Sequence, residues 1–187
     1  TKTLADKGAI VSGVDISKEL IEIANKSKGK SKIEYFVTRA EDLYMLKDNY
    51  FDAVVCILAL QNIEELQKTI GEVRRVLTKN GKFTFVLNHP SFRNPRKTHW
   101  SYDETNAVQY RRVDEYMSES KIKIDMTPGS KSDKKFTVSF HRPLQIYIKL
   151  LNKNNLAVTR LEEWISHRES KNGPKQKAEN KRIAISY

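Results

Sequence analysis

The stretch Ala9-Ile10-Val11-Ser12-Gly13-Val14-Asp15-Ile16-Ser17 decides the architecture. It is a short apolar run that ends in a carboxylate, with a hydroxyl residue two positions later. An apolar run of this length reads as a buried parallel strand. Ser17 then stands as a helix N-cap with Glu19 in the first turn. Leu20, Ile21, Ile23 and Ala24 give that helix its apolar face, and Gly29 lies just beyond it in a lysine-rich turn.

Working outward, Ile33-Glu34-Tyr35-Phe36-Val37 reads as a second strand and Ala40-Glu41-Asp42-Leu43 as the loop after it. Phe51 to Leu58 reads as a third strand; the longest apolar stretch, Ala53 to Leu60, predicts that it is buried. Ile63, Leu66, Ile70, Val73 and Leu77 recur at helical spacing. Asn80-Gly81 is expected to end that helix, with the glycine in a left-handed backbone. Lys82 to Leu87 reads as a fourth strand. This alternation is the rhythm of an open α/β sheet with right-handed crossovers.

Residues 89–139 break the rhythm, with prolines at 90, 95 and 128, a tryptophan and many charges. They read as an insertion or lid, partly ordered. From Phe140 regularity returns: Pro143 opens a helix to about Asn152, Asn154-Asn155 is a turn, and Leu156 to Ile165 is strand-like. Ser166 to Asn180 reads as a polar loop and Lys181 to Tyr187 as a final strand. No internal repeat is visible.

With 187 residues, 39% hydrophobic and 30% charged, the chain suits one polar globular domain with a sizeable insertion. No run approaches the roughly 20 apolar residues of a membrane span. The start Thr1-Lys2-Thr3-Leu4 has no apolar signal region, and the single cysteine, Cys56, excludes an intrachain disulfide framework. A cytoplasmic protein is expected, and one that begins inside a longer chain, since Thr1 is not an initiator Met. The net charge of +11 divides as +2 over residues 1–88 (14 Lys/Arg, 12 Asp/Glu) and +9 over 89–187 (20 against 11). Such a surplus suits nucleic acid or an anionic substrate, but the lysines are scattered without interleaved aromatics, so a solvated surface is the favoured reading.

Ser12-Gly13-Val14-Asp15-Ile16-Ser17 resembles the second-strand motif of class I S-adenosylmethionine-dependent methyltransferases. A carboxylate at the C-terminal end of a strand can accept hydrogen bonds from vicinal ribose hydroxyls. The resemblance gives that role to Asp15 and adenine packing to Ile16; the alternative is that Asp15 only caps the following helix. Thr38-Arg39-Ala40-Glu41-Asp42-Leu43 resembles the family's loop after the third strand, where an acid usually precedes the alanine. Here Arg39 stands there, so the amide near Ala40 and the acids Glu41 or Asp42 are the candidates to serve the adenine. Residues 49–63 resemble the fourth-strand motif of the small-molecule (type 11-like) subgroup, which implies that Cys56, Ile57 and Leu58 lie near the methionine part of the cofactor. Gln61-Asn62 replaces a His pair common in that subgroup. Residues 72–83 look like the family's helix, turn and fifth strand.

The resemblance implies a Rossmann-like, mostly parallel α/β sheet lacking its first strand, with an insertion after the fifth family strand. Residues 1–88 would be the incomplete cofactor-binding core, 89–139 the insertion over the substrate, and 140–187 a helix and strands completing the sheet. No Gly-x-Gly-x-Gly loop occurs in the sequence, and the reading is an N-terminally truncated piece of an intact enzyme.

The implied reaction is methyl transfer from S-adenosylmethionine to a small-molecule acceptor. His141 and His89 are the candidate bases, because each sits where the chain leaves or re-enters the sheet. Trp100, Tyr102 and Tyr110 are candidates to line an acceptor pocket, and Arg142, with the Arg111-Arg112 pair behind it, to bind an acidic acceptor. No Cys/His cluster has zinc-like spacing, so no metal is expected. Two other readings stay open. An RNA or protein methyltransferase would use the basic second half, but Leu58-Ala59-Leu60-Gln61 stands where the nucleic-acid amino-methylating enzymes carry an Asn-Pro-Pro-Tyr type tetrad. A truncated, non-catalytic interaction domain would explain the missing glycine loop and Arg39.

Overall fold

The computed structural model describes residues 1–29, 31–94, 96–127 and 135–164. The elements are α1 (Lys2–Asp6), β1 (Val11–Asp15), α2 (Lys18–Ser27), β2 (Ile33–Val37), β3 (Phe51–Ile57), a 3-10 turn (Leu60–Asn62), α3 (Leu66–Val76), β4 (Leu77–Val86), β5 (Thr98–Asp103), β6 (Val108–Val113), β7 (Ser120–Asp125), β8 (Phe136–His141) and α4 (Leu144–Lys153). They form two compact units. The first holds Thr1–Asp52 and Glu65–Gly81, and the second Ala53–Glu64 and the described residues from Lys82 onward. Among the described residues the strands hydrogen-bond in four pairs, not in one continuous sheet.

In the first unit β1 and β2 run parallel, in register from Val11↔Ile33 to Asp15↔Val37. α2 joins them as predicted: the Ser17 hydroxyl accepts from the Leu20 amide at 3.2 Å, capping one of the orphan donors. Ile21 and Ile33 are buried between helix and strands. Gly13 serves a close approach. A Cβ there would come within 2.7 Å of the ring of Tyr35, its cross-strand partner. α3 buries Leu66, Ile70, Val73 and Val76.

Three expectations are corrected here. α3 starts at Leu66, not Ile63, and ends at Val76; Leu77 already has an extended ψ of 138°. The Asn49 and Tyr50 amides donate to the carbonyls of Arg75 and Val76 at 2.9 Å, and so satisfy the helix's last acceptors from a neighbouring segment. Asn80-Gly81 therefore lies inside β4, where Thr84, Phe83 and Phe85 favour a strand. Gly81 is not among the glycines with positive φ. It is small because a Cβ would meet Leu77 Cδ2 at 2.8 Å and the Phe51 carbonyl at 3.0 Å. Finally, β1 and β3 are not buried: Val14 is 38% exposed, Val55 50% and Ile57 56%. Each of these strands has one hydrogen-bonded neighbour among the described residues, so its other edge is uncovered.

In the second unit the stretch after β4 is more regular than its composition predicts. β5 pairs antiparallel with β6, and β7 with β8. Pro143 is the N-cap of α4, with an extended ψ of 151°, rather than its first helical residue. α4 buries Tyr147 and Leu151. Leu156 to Trp164 is not a strand, and Leu161 and Trp164 are more than half exposed. That segment pairs with no described strand. The expected loop at 166–180 and strand at 181–187 lie outside the described residues.

Candidate functional site

β1 delivers Asp15 at its C-terminal end. One carboxylate oxygen accepts from the Ser17 amide at 2.8 Å, so the helix-capping role is present. The Asp15 carbonyl takes the Thr38 amide at 3.0 Å, which fixes the strand end to the loop after β2. Among the described residues the second carboxylate oxygen has no protein donor, and Ile16 beside it is 64% exposed. An open acceptor next to uncovered apolar surface fits a ribose and an adenine ring.

In the loop after β2, Arg39 grips Glu41 at 2.5 and 2.6 Å. The departure from the family pattern at position 39 therefore occupies the Glu41 carboxylate. Asp42 is exposed, its carboxylate makes no bond among the described residues, and its amide closes the turn onto the Arg39 carbonyl at 3.0 Å. The loop is fastened from α3. Arg75 donates to the carbonyls of Leu43 (2.8 Å) and Leu46 (2.9 Å), pairs with Asp48, and is held by both Glu72 oxygens at 2.8 and 2.7 Å. Glu72 also takes the Leu43 amide at 2.7 Å. The hydrogen bonds from Arg75 hold the Glu72 carboxyl below its ordinary range, and those from Glu72 and Asp48 push the guanidinium up. This clamp was missed in the sequence, although Glu72 and Arg75 at i, i+3 are the signal.

In the second unit, Cys56 and Ile57 end β3 and Leu58 follows it. Burial pushes the Cys56 thiol up, against smaller opposing contributions from the amides of Ala59 and Leu60, so it is a neutral, packed thiol. Leu58 has φ 52°, a left-handed backbone that is rare for a bulky residue. It is held there by its amide on the Val86 carbonyl (2.9 Å) and by the Gln61 side chain on its own carbonyl (2.7 Å). No sequence signal foretells this strain.

His141 is buried, and its Nε2 donates to the Tyr116 carbonyl at 2.8 Å. That nitrogen cannot also accept a proton from a substrate. His89 Nε2 faces the Glu163 carboxylate, while Nδ1 accepts from the Ser91 amide at 3.2 Å. Arg142 is buried too; it donates to the Glu64 carbonyl at 2.7 Å and stacks over Phe140 at 5.0 Å. The three aromatic candidates do not form one wall. Trp100 and Tyr102 share a face of the β5–β6 hairpin, whereas Tyr110 lies opposite Ser101 on the other face. Among the described residues no group of three His, Cys, Asp or Glu side chains is placed to hold a metal, and no helix is long and apolar enough to cross a membrane.

The family pattern of the methyltransferase domain matches residues 1–85. The chain is 32% identical over 92 residues to a demethylmenaquinone methyltransferase of Tropheryma whipplei, covering 48% of this chain and 38% of that protein. Residues 1–85 thus resemble a methyltransferase domain. An S-adenosylmethionine-dependent methyltransferase of Mesorhizobium loti superposes with a TM-score of 0.76 at 22% identity, covering 96% of this chain and 79% of that one. A Listeria monocytogenes protein assigned to the same class gives 0.65 at 28% identity, over 81% and 68%. The fold is Rossmann-like α/β. The chain spans well under half the length of the Tropheryma relative, about 38%.

Proposed function

We propose that this chain transfers a methyl group from S-adenosylmethionine to a small-molecule acceptor. The observation that carries the reading is the end of β1, where Asp15 keeps one carboxylate oxygen open beside the exposed Ile16 in a methyltransferase domain. Asp15 would accept from the ribose hydroxyls, Ile16 would pack on the adenine, and the Ala40 amide with Asp42 would serve the ring's edge. Glu41 has a lesser part, since Arg39 occupies it. Cys56, Ile57 and Leu58 would flank the methionine part. The bound cofactor supplies an electrophilic methyl group on a sulfonium. The protein's part is to orient the acceptor in line and to exclude water.

We assign acceptor recognition to the region after β4, residues 89–139, with Trp100, Tyr102 and Arg142 ahead of Tyr110. The small-molecule acceptor named for the Tropheryma relative supports this class. With the Nε2 atoms of His141 and His89 both committed, the reading favours an acceptor that ionises without a strong base. A cytoplasmic location belongs to the same proposal.

Calorimetric titration of S-adenosylhomocysteine tests it. Saturable binding is expected, weakened roughly 100-fold or more in Asp15→Ala, because hydrogen bonds to a charged group are worth about 1.5–3 kcal/mol each. Equal binding by the parent and Asp15→Ala would remove Asp15 from the site, and no binding by a folded chain would end the reading.

A further inference from the structure

One peptide unit in the loop after β2 is gripped from both sides. The Thr38 hydroxyl donates to the Asp42 carbonyl at 2.7 Å, and the Leu43 amide donates to a Glu72 carboxylate oxygen at 2.7 Å. These are the two polar groups of a single planar unit, so together they fix its orientation. The next carbonyl, that of Leu43, takes Arg75 Nη2 at 2.8 Å. On the other side the Asp42 amide is bonded to the Arg39 carbonyl at 3.0 Å. Asp42 therefore has both backbone polar groups committed, while its carboxylate is open among the described residues. Glu41 beside it is held aside by Arg39.

Thr38 joins this turn to the end of β1. Its amide donates to the Asp15 carbonyl at 3.0 Å, and its hydroxyl reaches the Asp42 carbonyl. One residue thus bridges the acid proposed for the ribose and the acid proposed for the edge of the ring. The amide bond needs no particular side chain, whereas the second bond needs a short side chain with a donor. Thr38 is half-buried, and Leu43 is anchored by Glu72 and Arg75 without its help. What depends on the hydroxyl is the direction of the Asp42 carbonyl, and with it the placement of the turn that carries the Ala40 amide and the Asp42 carboxylate.

We propose that Thr38 is a positioning residue for base recognition. Its hydroxyl sets the turn at residues 39–42 against the end of β1, so that a nucleoside held by its ribose at Asp15 meets an amide donor and a carboxylate acceptor at the base. That pair fits a base edge with a bare ring nitrogen beside an amino group. It opposes an edge with a ring N–H beside a carbonyl, where donor would face donor and acceptor would face acceptor. The inference rests on the methyl-transfer reading, which places the cofactor's nucleoside there.

The test is calorimetric titration of S-adenosylhomocysteine and of its inosine counterpart into the full chain, Thr38→Val, Thr38→Ser and Asp15→Ala. The parent chain is expected to prefer the adenine compound at least about tenfold. Thr38→Val should bind the adenine compound roughly five- to tenfold more weakly and the inosine compound within about twofold of the parent, so that the preference collapses. Thr38→Ser should restore it. Asp15→Ala should weaken both compounds alike and keep the preference. Thr38→Ala supplies a second variant without the hydroxyl, and urea unfolding of each variant reports its fold. An unchanged preference without the hydroxyl, an equal loss for both compounds, or a serine variant that behaves like the valine one overturns the proposal. The methyl-transfer reading survives any of these as long as Asp15→Ala weakens both compounds. Failure of the folded parent chain to bind either compound overturns that reading, and this inference with it.

Discussion

Cys56 shows how a single residue's surroundings decide its chemistry. It lies in β3 at the place where the resemblance puts the methionine part of the cofactor, so a reactive thiol there would be consequential. Burial is the largest influence on it and pushes its ionisation up, which leaves little thiolate near neutral pH. The expected outcome is modification by a disulfide reagent at pH 8 about tenfold slower than free cysteine, recovering to the free rate when the chain is unfolded in urea. A folded-state rate equal to that of free cysteine would show an activated thiol and contradict the packed role. Asp15 and Ile16 were legible at this scale because a carboxylate ending an apolar run is a local pattern. The bridge made by Thr38 was not, since it depends on where the carbonyls of Asp15 and Asp42 lie.

Among the elements, α3 shows most clearly what a sequence can and cannot give. Its apolar period marked the helix, because the buried positions Leu66, Ile70 and Val73 recur every three or four residues. Its end was misread, because the decision at Leu77 is made by the Asn49 and Tyr50 amides, which no helical signal reveals. The same helix carries Glu72 and Arg75, which hold the loop after β2 through the carbonyls of Leu43 and Leu46. Arg75 depresses the ionisation of Glu72, so the clamp's stability is present above the unfolded carboxylate value of about 4.3 and lost as pH falls through the lower folded value. Glu72→Gln should destabilise the chain by about 1–3 kcal/mol at pH 7 in urea unfolding. The gap between parent and variant should close as pH falls below the folded value. A gap that stays constant down to pH 3 would mean that the charge on Glu72 does not matter. The hairpins β5–β6 and β7–β8 were hidden for a related reason. Their strands are six residues each and mix polar, charged and apolar side chains without an apolar run, so antiparallel pairing with the partner strand fixes them.

For the whole molecule, the question is where the excess charge lies. Residues 1–88 contribute +2, residues 89–127 contribute +1 (7 Lys/Arg against 6 Asp/Glu) and residues 128–187 contribute +8 (13 against 5), which together make +11. The excess therefore belongs to the last third of the sequence, while Asp15 and the Ala40 loop sit in a nearly balanced stretch. A field carried by scattered lysines draws polyanions without selecting among them and fades with salt. Changing Lys171, Lys175, Lys177 and Lys181 together to Gln removes four of those charges. Retention on immobilised heparin should fall, with elution at clearly lower salt, and S-adenosylhomocysteine affinity should change less than about twofold, since the proposed cofactor contacts all lie within residues 15–58. If the quadruple variant instead lost cofactor affinity as strongly as Asp15→Ala, the basic tail would be part of the site, and the case for an anionic macromolecular acceptor over a small one would become the stronger reading.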